Sequence, residues 1–285
     1  MTAHLQRRKR RGRIIHLVLS VITFASLGVL VLLMADLIRR GAAYLDWGFI
    51  TGFPSRFASR SGILPALLGS LWLIVLTALI SVPVAIGAAI YLEEYAKDSR
   101  LTRFILINIS NLAGIPSIVY GILGLTVFVR TLALGRSILS GALTLSMLIF
   151  PIIIVTTQEA IKTVPDEWRH GSYALGATKW QTIRRVVLPG ALPGILTGII
   201  LSIARALGET APLLLVGAFS YVSALPKGPM DSFIALPIQI FTWTSKPSAE
   251  FRDVTAAAIL VLLVLMLLSN GLALVIRGRQ QKKFE

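Results

Sequence analysis

The sequence contains no cysteine, and its three histidines lie far apart, at His4, His16 and His170. Disulfides and thiolate metal sites are therefore excluded, and the histidines lack the spacing of metal ligands. Charged residues are scarce as well, at 14% of the chain against about 25% in soluble domains. Hydrophobic residues make up 55%, and the mean hydropathy is +0.79. This composition is that of an integral membrane protein.

Apolar segments of sufficient length define the predicted spans. A helix crosses the apolar core of a bilayer, about 30 Å, in about 20 residues. Six segments qualify, and they cover approximately Ile14–Ala35, Leu64–Leu92, Phe104–Val129, Ile138–Thr157, Leu192–Val216 and Val254–Ile276. We therefore predict an all-α protein with six transmembrane helices, the first of which is retained rather than cleaved.

The distribution of basic residues predicts the orientation. Six spans place both termini on one side, and that side carries most of the flanking Lys and Arg, including Arg7–Arg13. Positively charged flanks stay cytoplasmic, so both termini are predicted inside. The net charge of +15 then reflects orientation and contact with anionic lipid, not nucleic-acid binding. We divide the chain into a basic tail at 1–13, a first helix with its external loop at 14–62, a membrane core at 63–277 and a second tail at 278–285.

The external segment Gly217–Asp253 is longer than a usual loop and carries four prolines together with Phe241 and Trp243. One interpretation is a short interfacial or re-entrant piece. The other is a plain surface loop whose aromatic residues lie at the membrane interface. The sequence favours neither.

Two opposite charges interrupt the predicted fifth span. Arg205 and Glu209 lie four residues apart within it. Each ionised group at mid-bilayer costs roughly 2.5–3.5 kcal/mol on insertion scales. At this spacing both side chains would project from one helix face. That face should look towards protein or an aqueous path rather than lipid.

Residues 158–190 form a long cytoplasmic loop between the fourth and fifth spans. Val164-Pro165-Asp166-Glu167 predicts a helix start, because Pro and acidic residues suit a first turn. Gly176 would end this helix at positive φ, a second short helix would start near Thr178, and Pro189 would separate it from the next span. The pair of helices is either a peg for the groove of a partner protein or a hairpin lying on the lipid surface.

The spacing in this loop matches a known pattern. Gly176 is followed, after nine residues, by Val186, one residue and Leu188-Pro189. This resembles the coupling loop of permease subunits of ABC-type importers, whose pattern is Glu-Ala-Ala, three residues, Gly, nine residues, Ile, one residue and Leu-Pro. His170-Gly171-Ser172 replaces the Glu-Ala-Ala triplet, which removes an acidic contact to the ATPase. The resemblance implies that ATPase contacts come from His170, Gly171, Ser172, Ala174, Gly176, Ala177 and Trp180.

Three further segments carry a narrower resemblance. They are Ile90-Tyr-Leu-Glu-Glu-Tyr-Ala96, Gly114-Ile-Pro-Ser-Ile-Val-Tyr-Gly121 and Arg205-Ala-Leu-Gly-Glu-Thr-Ala-Pro-Leu-Leu214. They resemble the PstA permease subunits of phosphate importers, and the likeness extends over about Gly62–Ile276. Sulfate permeases carry something similar to Arg-Ala-Leu-Gly-Glu, but the Thr-Ala-Pro continuation favours phosphate. The resemblance implies a type I ABC importer permease (MetI-like) fold for the core.

The same resemblance implies partners. This chain would pair with a PstC-like permease, with two PstB-like ATPase subunits below and a PstS-like phosphate-binding protein outside. The chain has no Gly-rich loop ending in Gly-Lys-Ser/Thr, so ATP and Mg would be used by the partner ATPase, and no cofactor is expected on this chain. Glu93, Glu94 and Tyr95 end the second span and are expected to be solvated, with an ATPase contact as the alternative.

Arg205, Glu209 and Thr210 are then predicted to line the substrate pathway. A guanidinium offers a planar fork of donors to phosphate oxygens, and Glu209 would neutralise it when no anion is bound. The alternatives are a structural ion pair that locks two helices and a gate without substrate contact.

Other functions compete with phosphate import. A permease for another oxyanion, such as sulfate or molybdate, is the alternative function. An intramembrane enzyme is disfavoured, because within the predicted spans the sequence places no nucleophile with a base and no group of metal ligands. A channel is disfavoured because it would not need a cytoplasmic peg.

Overall fold

The computed structural model describes residues 2–217 and 224–281, with the side chains of residues 12–217 and 224–271. Every regular element in these ranges is helical, which confirms the predicted all-α fold. The α-helices are α1 Thr2–Gly41, α2 Trp47–Thr51, α3 Leu64–Ile90, α4 Arg100–Leu112, α5 Ser117–Gly124, α6 Ile138–Lys162, α7 Asp166–Ala174, α8 Lys179–Thr182, α9 Leu188–Gly208, α10 Ala211–Val216, α11 Leu236–Thr244 and α12 Glu250–Gln281. π-Helical turns follow α3, α5 and α8, at Tyr91–Tyr95, Leu125–Thr131 and Ile183–Val187.

The long apolar helices confirm the six-span prediction once one broken span is counted. Among the residues that the structure describes, five helices are long and apolar enough to cross a membrane without a break: Gly12–Tyr44, Leu64–Tyr95, Ile138–Lys162, Lys179–Gly208 and Glu250–Gly271. The remaining span, the third in chain order, consists of Arg100–Leu112 and Ser117–Thr131, with a bend of 104° between them. The basic residues Arg7–Arg13 belong to α1, so the predicted tail at 1–13 continues into the first helix.

The third span is broken rather than continuous. The sequence predicted one helix over Phe104–Val129, but α4 ends at Leu112 and α5 begins only after Pro116. Proline lacks an N–H and disfavours helical geometry in the residue before it, so a helix cannot run through this point without cost. The Leu112 carbonyl accepts the Ile115 N–H at 3.2 Å and the Tyr120 Oη hydroxyl at 2.8 Å, so the end of α4 is bonded to both the connecting residues and α5.

Helices α3 and α6 form the centre of the bundle. Thr77 Oγ1 donates to the Ala142 carbonyl, and Ser146 Oγ donates to the Thr77 carbonyl, both at 3.4 Å. Helices α5 and α10 also approach each other closely. A Cβ added at Gly121 of α5 would lie 2.7 Å from the Cα of Pro212 in α10. Glycine at that position therefore allows α10 to pack directly on α5.

The external segment between the fifth and sixth spans contains a buried helix. Residues 218–223 of this segment lie outside the described residues. Leu236, Ile238 and Trp243 of α11 are buried, and the Leu236 N–H donates to Ser70 Oγ at 2.8 Å. Trp243 packs between the rings of Phe49 and Phe251, so it does not anchor at the membrane interface. The interpretation as a plain surface loop is therefore wrong for this part of the segment.

We expect Gly121→Ala to destabilise the subunit, because the added methyl would meet the backbone of Pro212 at 2.7 Å and the two helices would have to separate. Alanine would otherwise favour a helix by about 1 kcal/mol over glycine. Gly28→Ala is the matched control, since nothing lies within 4 Å of its added Cβ. Thermal denaturation in detergent should give a lower midpoint for Gly121→Ala than for Gly28→Ala, and equal midpoints would contradict the close packing.

Candidate functional site

The fifth span is interrupted at its charged residues. α9 ends at Gly208, Glu209 is extended (φ −73°, ψ 126°), and α10 starts at Ala211. The physical cause is Pro212, which has no N–H to donate to the Gly208 carbonyl and whose ring would clash with that carbonyl in a continuous helix. The predicted unbroken helix over Leu192–Val216 is therefore wrong after Gly208, and Glu209 does not share a helix face with Arg205.

The break nevertheless brings the two charges together. Arg205 Nε donates to Glu209 Oε1 at 3.4 Å. The Arg205 side chain is 41% exposed and the Glu209 side chain 16%, so the carboxylate is sheltered while the guanidinium remains open on the surface of the chain. Such an open pair can change partners, because only one of the guanidinium donors is engaged by the carboxylate.

An open groove of about 420 Å³ lies between α10 and α11. Thr210, the residue after Glu209, is part of its lining, whereas Arg205 and Glu209 themselves do not line it. The lining residues are Thr210, Ala211, Leu214, Pro237, Ile240, Phe241 and Thr244. The walls carry two hydroxyls, those of Thr210 and Thr244, and no charge.

A larger cavity, about 650 Å³, lies between the first external loop and α11. Arg56, Gln239 and Lys246 contribute polar groups to its lining. Burial lowers the pKa of Lys246, and its Nζ lies 3.6 Å from the centre of the Phe251 ring. Sequence reasoning did not single out these residues. Gln239 and Lys246 follow Arg56 by 183 and 190 positions, and no local pattern joins them to it.

The cytoplasmic loop folds as the predicted helical hairpin, but Pro189 does not separate it from the fifth span. α8, the π-helical turn Ile183–Val187 and α9 form one helix over Lys179–Gly208, because a proline in the first turn of α9 is tolerated where the π-helical turn already alters the hydrogen-bond pattern. α7 starts at Asp166 after Pro165, and Gly176 has φ +80°. Thr178 caps α8 through a reciprocal capping box with Gln181, which satisfies N–H groups at the helix start. The hydroxyls of Ser172 and Thr182 lie 2.9 Å apart and tie the two helices together.

The hairpin presents apolar side chains to solvent. Of the predicted ATPase contacts, His170, Gly171, Ala174, Gly176 and Trp180 are exposed, while Ser172 and Ala177 are half-buried. Leu175 at the tip is 90% exposed, and Trp168 and Trp180 are each more than half exposed. Sequence reasoning missed Leu175, although its position before the turning glycine was a usable signal. Exposed large apolar side chains of this kind mark a surface that a partner or membrane covers.

The acidic end of the second span differs from its predicted state. Glu94 was expected to be solvated, but its side chain is only 9% exposed and accepts a hydrogen bond from Arg169 Nη2 at 3.3 Å. Tyr95 lies under the ammonium group of Lys179, 4.9 Å from the ring centre. The low exposure of Glu94 has a non-local cause, because its partner Arg169 follows it by 75 positions.

Comparison with known proteins gives a consistent result. Residues 81–282 match the family of binding-protein-dependent transport system inner membrane components. The probable ABC transporter permease protein YqgI of Bacillus subtilis is 36% identical over 67% of this chain, which spans 65% of that protein's length. The phosphate transport system permease protein PstA of Yersinia pestis is 34% identical, covering 96% of this chain and 92% of its own.

The fold also has solved counterparts. One chain superposes on this one with a TM-score of 0.70. It belongs to a bacterial ABC transporter involved in the import of the acidic polysaccharide alginate. The superposition covers 97% of this chain and 99% of that chain at 16% sequence identity. This likeness establishes the shared helical architecture.

We expect Gly176→Ala to loosen the hairpin, because a non-glycine residue at φ +80° is strained by about 1–2 kcal/mol. Gly171→Ala is the matched control, since both added Cβ atoms meet open space and only Gly176 has positive φ. Amide hydrogen exchange across residues 164–188 should be roughly 5–30-fold faster in Gly176→Ala. Equal exchange in both variants would contradict a strained turn at this glycine.

Proposed function

The chain belongs to the family of binding-protein-dependent transport system inner membrane components, and from this premise we propose that it is the permease subunit of an ATP-driven importer of inorganic phosphate. The observation that carries the proposal is the open guanidinium of Arg205, with the Glu209 carboxylate in contact and the next residue, Thr210, lining a groove. One relative, which aligns with nearly the whole chain, is named a PstA phosphate permease. This name supports phosphate over other oxyanions.

The groove beside Thr210 supplies half of the translocation pathway in this proposal. It is open along one side, so a PstC-like permease would close it and complete a passage between the two subunits. The partly apolar walls would exclude much of the bulk water, which strengthens the attraction between Arg205 and a passing anion. A pathway that conducts must bind its ion favourably but not permanently.

Glu209 is the group that keeps binding temporary. In the absence of anion it neutralises Arg205 at 3.4 Å, and an arriving phosphate would displace it because phosphate oxygens suit the guanidinium fork. When phosphate moves on, the carboxylate returns. Phosphate also retains protons near neutral pH, so a P–O–H group could donate to Glu209, whereas sulfate could not.

Energy for the cycle comes from partner ATPases in this proposal. PstB-like subunits would bind and hydrolyse ATP with Mg, and the hairpin of α7 and α8 would sit in a groove on their surface. The exposed Trp168, Leu175 and Trp180 supply the apolar side chains that such a groove would bury. A PstS-like binding protein would deliver phosphate from outside, with both termini of this chain in the cytoplasm of the cell whose inner membrane it spans.

We expect Arg205→Gln to abolish phosphate uptake while the complex still assembles, because glutamine keeps hydrogen-bonding capacity but loses the charge. Arg60→Gln, which alters an exposed arginine of the first external loop, should leave uptake unchanged. The measurement is uptake of labelled phosphate and sulfate into vesicles that contain the purified complex. Loss of assembly in Arg205→Gln would support a structural ion pair instead, and equal transport of both anions by the unaltered complex would contradict the assignment of phosphate.

We expect Glu209→Gln to slow turnover rather than prevent binding. Without the competing carboxylate, Arg205 would hold phosphate longer, so both the maximal uptake rate and the concentration giving half of that rate should fall. Glu250→Gln, at an exposed position of α12, is the control. An unchanged uptake curve in Glu209→Gln would contradict the role of a competing partner.

A further inference from the structure

The cytoplasmic end of the second span is built as a junction. α3 passes at Ile90 into the π-helical turn Tyr91–Tyr95, which closes with a bond from the Ala96 N–H to the Tyr91 carbonyl at 2.8 Å. Such turns widen a helix locally and often occur at functional sites. Here the turn carries three consecutive residues that each contact a different neighbouring element.

Arg169 of α7 makes the central contact of this junction. Its Nη2 donates to Glu94 Oε1 at 3.3 Å and to the Ile161 carbonyl at 3.0 Å, and its Nη1 donates to the Val164 carbonyl at 2.6 Å and to Asp166 Oδ1 at 3.1 Å. The side chains of Arg169 and Glu94 are 14% and 9% exposed. One guanidinium therefore joins the hairpin to the ends of both α3 and α6.

Two weaker contacts flank this pair. Tyr95 lies beneath Lys179 of α8 at 4.9 Å, and Glu93 lies 4.0 Å from Lys162 at the end of α6. Lys162 is about half exposed, and exposed ion pairs of this kind contribute little. The Arg169–Glu94 pair is different because it is sheltered from solvent and because further acceptors engage the same guanidinium.

The hairpin has little else to hold α7 to the second span. No residue of α7 is buried, and its packing is mainly against α8 and the π-helical turn Ile183–Val187. An element with no buried apolar face is positioned by its polar contacts. The Arg169 contacts are therefore the side-chain link through which movement of α7 reaches α3.

The other end of α3 reaches the wall of the groove. Ser70 Oγ accepts the Leu236 N–H of α11 at 2.8 Å, and a Cβ added at Gly69 would collide with the Ile234 carbonyl. α11 lines the groove beside Thr210. The 27 residues of α3 extend over about 40 Å and so connect the cytoplasmic junction to the groove.

We propose that Arg169 is a positioning residue that couples the hairpin to the translocation groove, by fastening α7 to Glu94 at the end of α3. The inference rests on the proposed function. Displacement of the hairpin by the ATPases would draw the end of α3 with it, and α3 would shift α11 at the groove. The partly buried pair acts as a fixed joint, because breaking it would leave a carboxylate sheltered from water without a partner.

The test measures coupling rather than activity alone. Arg169→Gln, Arg169→Lys and Glu94→Gln are compared in the reconstituted complex for phosphate uptake, ATP hydrolysis and the ratio of ATP consumed to phosphate imported. We expect Arg169→Gln and Glu94→Gln to assemble and hydrolyse ATP within about twofold of the unaltered complex while uptake falls at least tenfold. Arg169→Lys should be intermediate, since lysine retains the charge but loses the fork. The exposed pair of Asp98 and Arg103 provides the control variant Asp98→Asn, with no expected change.

A reversible cross-link separates positioning from folding. The chain contains no cysteine, so Glu94→Cys combined with Arg169→Cys, in a complex whose other subunits also lack cysteine, can be joined by a reducible bifunctional thiol reagent. Cross-linking should restore the coupling ratio, and reduction should abolish it again.

Two results would overturn the inference. One is a parallel loss of assembly, ATP hydrolysis and uptake with an unchanged ratio, which would show a merely structural pair. The other is normal coupling in the cysteine pair without cross-linker. Failure of the unaltered complex to import phosphate would instead contradict the proposed function, so the two claims fail separately.

Discussion

A guanidinium within an apolar span must find a counter-charge, and in this chain the backbone breaks to supply it. Pro212 cannot donate to the Gly208 carbonyl, so α9 ends there and Glu209 leaves the helix as an extended residue in contact with Arg205. The same proline packs on α5 at Gly121, where no side chain larger than hydrogen fits without movement. The extended backbone of Glu209 and the close packing of α10 on α5 therefore both involve Pro212.

The interrupted spans contrast with the continuous packing of α3 on α6. α3 and α6 pack along their length through small and hydroxyl side chains such as Thr77 and Ser146, whereas the third and fifth spans break and the second ends in a π-helical turn. In the proposed transport cycle, a rigid centre would carry movement and the interrupted segments would change shape around it. Two discrete arrangements of packed elements, rather than continuous bending, are the form that such switching usually takes.

The parts that could be predicted from sequence are those with local causes. Span positions follow from runs of apolar residues, because the bilayer requires about 20 of them. The hairpin follows from Pro165 before the first turn and from Gly176 at positive φ. Whether a proline bends or breaks a span depends on what neighbouring helices offer to the freed groups, so the breaks near Pro116 and Pro212 could not be derived from the chain alone. The burial of Glu94 depends on Arg169, a residue 75 positions away, and no local pattern connects them.

The two arginine–glutamate pairs differ in the way that their proposed roles require. Arg205 engages Glu209 through a single bond at 3.4 Å and stays 41% exposed, so an incoming anion can reach the guanidinium. Arg169 reaches Glu94, Asp166 and two backbone carbonyls and is 14% exposed, so exchange would leave several sheltered acceptors unpaired. A contact that must open in every cycle needs few bonds and access to water, and a contact that must hold needs many bonds and shelter. Both pairs join a guanidinium to a carboxylate, and the difference in their surroundings determines which pair can open.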